Sequence, residues 1–118
     1  MSAALPAYAV ALLRPAALHE DVVAYLQRID ATLAPFGGRY VIHGATPEVL
    51  EGAWPSHLVV IAFPGIEAAR GWYLSPAYAA IKPLRTAHVA GDVALIEGVA
   101  PGHRGTDILG PTAAREPV

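Results

Sequence analysis

The chain has 118 residues, of which 54% are hydrophobic, and its 8 basic and 10 acidic side chains give a net charge of −2. This length favours one domain, and the balanced charge argues against a nucleic-acid-binding surface. Since there is no cysteine, disulfides, thiolate catalysis and cysteine-based zinc or iron–sulfur sites are excluded. No apolar run approaches the roughly 20 residues that a membrane-spanning helix needs, and no signal peptide is recognisable. We therefore expect a cytoplasmic protein that binds neither nucleic acid nor a membrane.

Apolar patterning predicts a strand and then a long helix at the start of the chain. Tyr8–Leu13 is apolar at both alternating positions, which is typical of a strand that is covered on both faces. An apolar stripe at helical spacing then extends from Leu18 to Leu33. It predicts an amphipathic helix over about Ala16–Ala34, ended by the turn-forming residues that follow.

Two more strands follow, joined by an irregular connection. Arg39–Gly44 is the second predicted strand, and strict alternation would place Tyr40 and His43 on opposite faces. The connection over 45–56 is rich in proline and glycine. Leu58–Phe63 is an uninterrupted apolar run closed by Pro-Gly, which indicates a third, buried strand.

The next segment predicts one helix that is broken in two. The first part covers Ile66–Leu74. Ser75 is a favourable N-cap and Pro76 is tolerated at a first helical position, so the chain can begin a second helix there. That helix is expected over about Ala77–Lys82, because Pro83 removes a backbone donor and should kink or end it.

The last predicted strand is Asp92–Val99. The order βαββαβ indicates an α+β, ferredoxin-like fold, with a four-stranded antiparallel sheet, helices on one face and the second helix split. A mean hydropathy of +0.41 and strands apolar on both faces favour a homodimer. The domain is expected over 1–99, followed by a flexible, Gly/Pro-rich C-terminal tail over 100–118 in which Ile108 and Leu109 are candidate anchors.

Three motifs give the chain a resemblance to a known family, domain of unknown function 1330. They are FPGIEAARGWYLSPAYAAIKPLR, Gly37-Gly38-Arg39-Tyr40 and Leu50-Glu51-Gly52-x-Trp54-Pro55, in the family's order. The resemblance extends from about Tyr8 to Val99. It implies a ferredoxin-like fold that dimerises as a dimeric α/β barrel. It implies no particular reaction, although the wider superfamily suggests a small oxygenase, isomerase or lyase that acts on an organic acid or aromatic compound without a cofactor.

Six side chains could serve a small molecule held between the helices and the sheet, where such folds place apolar cavities. The candidates for polarising or deprotonating a substrate are His43, Tyr73 and Tyr78, and the candidates for binding it are Arg39, Trp54 and Arg85. Histidine exchanges protons near neutral pH, phenols donate hydrogen bonds, guanidinium groups bind carboxylates in pairs of hydrogen bonds, and an indole can stack on a ring.

Each candidate also has a structural explanation. His43 could be an ordinary histidine at a strand end, and the two tyrosines could be core residues whose hydroxyls reach the surface. The arginines could form salt bridges to Glu51 or Glu97. Trp54 could anchor a loop or an interface.

The sequence contains no motif for a metal or a cofactor. Its five histidines lack the spacings by which sequence neighbours bind zinc, and a site made from distant residues stays open. No glycine-rich phosphate loop precedes a helix. Three functions therefore remain: a cofactor-independent enzyme, a non-catalytic small-molecule binding module, and a structural dimer.

Overall fold

A computed structural model describes residues 5–110 of the chain. Its elements are β1 Ala7–Leu13, α1 Glu20–Leu33, β2 Arg39–His43, β3 His57–Phe63, α2 Ile66–Tyr73, α3 Pro76–Thr86 and β4 Gly91–Glu97. The four strands form one sheet in the order β2-β3-β1-β4, and every neighbouring pair is antiparallel. The predicted ferredoxin-like fold with a split second helix is confirmed. The connection over 45–56 is irregular, also as predicted.

One face of the sheet carries the hydrophobic core. Alternate residues of the two central strands, such as Ala9 and Ile61, face the helices because side chains point to opposite faces along a strand. The helices contribute the larger buried side chains, namely Tyr25, Ile29, Leu33, Trp72, Tyr78 and Ile81.

The opposite face of the sheet is apolar, and none of the helices within residues 5–110 covers it. Val10 of β1 pairs with Val60 of β3 near the centre of this face, and Leu12 lies beside them on β1. Ile96 extends the apolar surface onto β4. Leu12 is 40% exposed and Ile96 is 51% exposed. The molecule is only 19 Å thick along its shortest axis, as expected of one sheet and one helical layer.

Helix α1 begins four residues later than the predicted Ala16. His19 is its N-cap, and the imidazole Nδ1 accepts a hydrogen bond from the backbone N–H of Asp21 at 3.0 Å. This bond satisfies one of the free amides of the first turn, so the helix proper begins at Glu20. The prediction was wrong because histidine is not among the usual N-cap residues.

A β-bulge in β2 changes which of its side chains face the helices. Tyr40 pairs with Ile61 and His43 pairs with Val59, with a register shift between Tyr40 and Ile42. Since a bulge inserts one extra residue, Tyr40 and His43 share the helix-facing side of the sheet. The alternation predicted for this strand, which separated the two rings, was wrong.

Helix α3 continues through Pro83 to Thr86, so the prediction that it would end at about Lys82 was wrong. The carbonyl of Pro83 still accepts from the N–H of Ala87 at 3.1 Å. Leu84 packs against the core and Arg85 is buried. These contacts hold the last turn in place and offset the cost of the proline.

The C-terminal segment forms a short 3-10 helix, Gly105–Leu109. Ile108 is 63% exposed and Leu109 is half-buried, so of the two candidate anchors only Leu109 is partly shielded from solvent. The remainder of the predicted tail, 111–118, lies outside the described residues.

Candidate functional site

A cavity of about 100 Å³ lies between the sheet and the helices. Small residues of β1, Ala9 and Ala11, form part of its floor beside Ile61, and aliphatic side chains of α1, such as Val22 and Leu26, form one wall. An apolar cavity of about 150 Å³ can hold a benzene ring. This cavity is smaller than that, so a ligand held within it would be no larger than one small ring.

The polar end of the cavity is a cluster of two phenols and one guanidinium. Tyr25 of α1 and Tyr78 of α3 share a hydrogen bond between their hydroxyls at 2.8 Å. The guanidinium carbon of Arg85 lies 5.8 Å from the centre of the Tyr25 ring. Tyr78 is 2% exposed and Arg85 is 8% exposed. We call these three residues the Tyr–Tyr–Arg cluster.

The electrostatics of the cluster favour hydrogen-bond donation towards the cavity. Burial, and then the neighbouring Tyr78, raise the pKa of Tyr25 far above its ordinary value, so this phenol stays neutral and can donate. A guanidinium is charged at any physiological pH. None of the salt bridges within residues 5–110 includes Arg85.

His43 is an exposed residue of the cavity lining. Its ring stacks on Tyr40, with centroids 4.0 Å apart and planes 12° apart, and both residues line the cavity. Burial, followed by the charges of Asp30 and Tyr78, raises the pKa of Tyr40 to about 12. The stack therefore presents a neutral phenol and an imidazole that solvent can reach.

The break between α2 and α3 positions the aromatic wall of the cavity. Ser75 accepts from the N–H of Tyr78 at 3.2 Å and donates to the carbonyl of Trp72 at 2.7 Å, so its predicted role as N-cap is confirmed. The Trp72 indole N–H donates to Thr32 at 2.9 Å, and the Trp72 ring lies 4.2 Å from that of Tyr78. Tyr73 completes this wall, 5.4 Å from Tyr78.

Four of the six residues singled out in the sequence line this one cavity: His43, Tyr73, Tyr78 and Arg85. Arg39 lies elsewhere, on the opposite face of the sheet, where it pairs with Ala62 and borders a second pocket. Trp54 is half-exposed in the 45–56 connection. Whether any of the six acts on a ligand stays a prediction. Among residues 5–110, the salt bridges suggested between the arginines and Glu51 or Glu97 are not formed.

Sequence reasoning missed Tyr25 and Tyr40. Tyr25 falls on the apolar stripe of α1, so its spacing indicated an ordinary core position. Only the contact of α1 with α3 brings its hydroxyl to Tyr78. Tyr40 was placed on the wrong face relative to His43 because a bulge leaves no mark in a pattern of alternation.

A second group of polar side chains lies at the N-terminal end of α1. His19, Asp21 and His88 each offer a donor atom, and these atoms lie within 4.8 Å of one another. They are distant in sequence, which is why spacing alone did not reveal them. No helix in the described part of the chain is both long and apolar enough to cross a bilayer.

Comparison with known proteins places the chain in a family and among similar folds. The profile of the family described as "Domain of unknown function (DUF1330)" matches residues 6–99. A protein of unknown function from Rhodopseudomonas palustris, RPA0582, is 22% identical with a TM-score of 0.63, over 82% of this chain and 85% of that one. No curated protein sequence is significantly similar to this chain.

Two further solved structures share the fold at lower identity. A variant of SnoaB from Streptomyces nogalater, described as a cofactor-independent oxygenase, is 14% identical with a TM-score of 0.59, over 85% of this chain and 97% of that one. A dimeric ferredoxin-like protein of unknown function from Thermobifida fusca is 18% identical with a TM-score of 0.54, over 82% and 92% of the two chains. At these identities the likeness concerns the fold.

Proposed function

The chain belongs to the domain of unknown function family DUF1330, and from the cavity it carries we propose that it binds a small aromatic or enolisable organic acid and activates it by proton transfer. The observation that supports this most is the burial of Arg85 without a carboxylate partner among residues 5–110. Taking a cation out of water costs several kcal/mol unless an anion accompanies it. A carboxylate or enolate of a ligand would supply that missing negative charge.

The same cluster suits the chemistry that would follow binding. Hydrogen-bond donors fixed at the oxygen where negative charge develops stabilise an enolate-like transition state, most strongly in a site from which water is excluded. Because the hydroxyls of Tyr25 and Tyr78 share one hydrogen bond, one of the two phenols keeps its O–H free to donate to a ligand beside Arg85. His43, which also lines the cavity, would accept the proton from the ligand.

Removal of a proton is the first step shared by several reactions that need no resident cofactor. An isomerase returns the proton to another atom, a lyase expels a leaving group, and an oxygenase lets the carbanion react with molecular oxygen. SnoaB, whose fold is similar, is described as a cofactor-independent oxygenase. This likeness supports a reaction of the third kind as one outcome of the proposal.

We also propose that the protein works as a homodimer with the apolar sheet faces packed together. Val10, Leu12, Val60 and Ile96 form a continuous apolar surface on a sheet that the helices leave open. Contiguous apolar surfaces of this kind mark interfaces. The related fold from Thermobifida fusca is described as dimeric.

The binding proposal is tested with pairs of uncharged and anionic single-ring probes. Titration calorimetry would compare benzoate with benzamide, and salicylate with salicylamide, on the wild type, Arg85→Met and Arg39→Met. We expect the carboxylates to bind at least tenfold more tightly than the amides. Arg85→Met should remove that preference, whereas Arg39→Met, on the other face of the sheet, should retain it. Equal binding of acids and amides, or loss of the preference in Arg39→Met alone, would contradict the assignment.

The catalytic step is tested separately from binding. Exchange of the acidic C–H of an enolisable ligand with deuterated water is followed by NMR for the wild type and for His43→Ala. Enzyme-dependent exchange that falls at least tenfold in His43→Ala, with affinity retained, supports proton transfer. Tight binding without exchange would instead establish the non-catalytic binding module.

A further inference from the structure

His19, Asp21 and His88 form a compact polar group that the proposed function does not use. His19 is the N-cap of α1 and Asp21 lies in its first turn, whereas His88 follows the C-cap of α3. Nε2 of His88 lies 2.9 Å from Oδ2 of Asp21, and Nδ1 of His19 lies 3.7 Å from the same oxygen. The two imidazole rings are stacked, with centroids 3.6 Å apart and planes 15° apart. Three donor atoms from two helix ends therefore lie within 4.8 Å of one another.

We propose that these three residues bind a divalent transition-metal ion of the Zn²⁺, Ni²⁺ or Co²⁺ type. Two imidazole nitrogens and one carboxylate oxygen are a common donor set for such ions, whereas Mg²⁺ and Ca²⁺ prefer oxygen alone. With bonds of about 2.1 Å, a tetrahedral ion holds its donors about 3.4 Å apart. The present separations of 2.9 and 3.7 Å lie on either side of that value.

The surroundings allow an ion to enter and leave a further coordination position open. The side chains of His19 and Asp21 are each 43% exposed, and that of His88 is 25% exposed. Three protein ligands leave the fourth tetrahedral position to water or to another small ligand. The site lies at the N-terminus of α1, whose positive dipole end disfavours the binding of a cation. It also lies at the C-terminus of α3, whose negative dipole end favours that binding, so the two effects offset each other. We expect micromolar affinity.

Binding has one identifiable local cost. Nδ1 of His19 accepts from the backbone N–H of Asp21 at 3.0 Å, and an ion bound at Nδ1 would take the same lone pair. The metal would thus replace the N-cap of α1 with a bond between α1 and the chain after α3. Such an ion stabilises the folded state by an amount that grows with the logarithm of the ratio of its free concentration to its dissociation constant, because the three donor atoms lie close together only in that state.

The site lies beside the cavity. Val22 and Val89, which line the cavity, directly follow Asp21 and His88 in sequence. The backbone N–H of His88 donates to the carbonyl of Arg85 at 3.1 Å. A bound metal would therefore brace the end of the cavity that carries the Tyr–Tyr–Arg cluster. The metal proposal stands on its own ligands, and it holds whether or not the cavity binds an organic acid.

The test uses the tag-free, chelator-treated protein and titration with Zn²⁺ by calorimetry, with Co²⁺ absorption spectra as a second readout. The variants are His88→Ala and His19→Asn, since asparagine is itself a good N-cap and should keep α1 intact. The matched control is His103→Ala, which removes a histidine that lies 3.9 Å from Asp107 in a separate pair.

We expect one Zn²⁺ per chain in the wild type and in His103→Ala, and at least tenfold weaker binding in His88→Ala and His19→Asn. Co²⁺ should give the intense visible bands of a four- or five-coordinate site in the wild type, and these should disappear in both ligand variants. Undiminished Zn²⁺ binding in the folded His88→Ala and His19→Asn proteins would overturn the proposal. Failure of the wild type to bind Zn²⁺ at millimolar concentration would do the same.

Discussion

Replacing Ala11 with leucine tests whether the cavity is real space that a ligand can occupy. Ala11 lies between Val59 and Val93 in the sheet register and lines the cavity. Leucine adds three carbon atoms, and each buried CH₂ stabilises by about 0.8 kcal/mol, for about 2.4 kcal/mol together. Ordering the leucine side chain costs about 0.5–1 kcal/mol. We therefore expect Ala11→Leu to raise the free energy of unfolding by about 1.5 kcal/mol.

The assay is urea denaturation of wild type and variant at one protein concentration, which must be held fixed because association shifts apparent stability. The midpoint should rise with an unchanged slope. The same variant should lose the binding of benzoate, since leucine would occupy the space of the ring. Ala31→Leu, on the exposed side of α1, makes the same chemical change outside the cavity and should alter stability by less than about 0.5 kcal/mol.

A destabilised Ala11→Leu protein would refute this reasoning. Extra carbon atoms in a well-packed core typically cost about 1–3 kcal/mol, so a fall in stability of that size would mean that the space is already filled. Benzoate binding that survived in a stabilised Ala11→Leu protein would place the ligand site elsewhere.

Two further predictions concern the wall of the cavity and the open face of the sheet. Thr32→Val should lower the free energy of unfolding by about 1–3 kcal/mol, because the buried indole N–H of Trp72 loses its acceptor. The control is Thr86→Val, at an exposed position on α3. If both variants lost the same stability, the hydrogen bond to Trp72 would not be the cause. Val60→Glu should convert the proposed dimer to a folded monomer in light scattering, since it places a charge at the centre of the apolar face. A dimer that persists would locate the interface on another surface.

Most of the fold could be predicted because its signals are local. The apolar run of β3 and the turn after it depend on neighbouring residues alone, and the structure has this strand one residue longer than predicted. The start of α1 was misjudged because an unusual local cap decides it, and the end of α3 was misjudged because distant contacts outweigh local preference. His19 caps α1 although histidine is an uncommon N-cap, and Leu84 and Arg85 hold a helical turn beyond Pro83 through tertiary packing.

The candidate site was less predictable because it depends on which elements meet. Tyr78 and Arg85 lie on one helix, and their sequence positions could suggest a shared face. Their partner Tyr25 lies 53 residues away from Tyr78, and nothing in its surroundings distinguishes it from a core residue. His43 faces the cavity only because of the bulge in β2. Long-range pairing, which local patterns do not record, therefore decides the composition of the site.

The split between α2 and α3 shows how one local signal can nevertheless shape the site. Residues 72 and 78 are six positions apart, and in a continuous helix of 3.6 residues per turn their side chains would point about 120° apart. Trp72 and Tyr78 could not then face the same space. The restart at Ser75 allows their rings to lie 4.2 Å apart, with Trp72 fixed by Thr32 and Tyr78 turned towards Tyr25. The cap is thus more than a local stabiliser, because the break that it holds lets both aromatic residues contribute to one cavity wall.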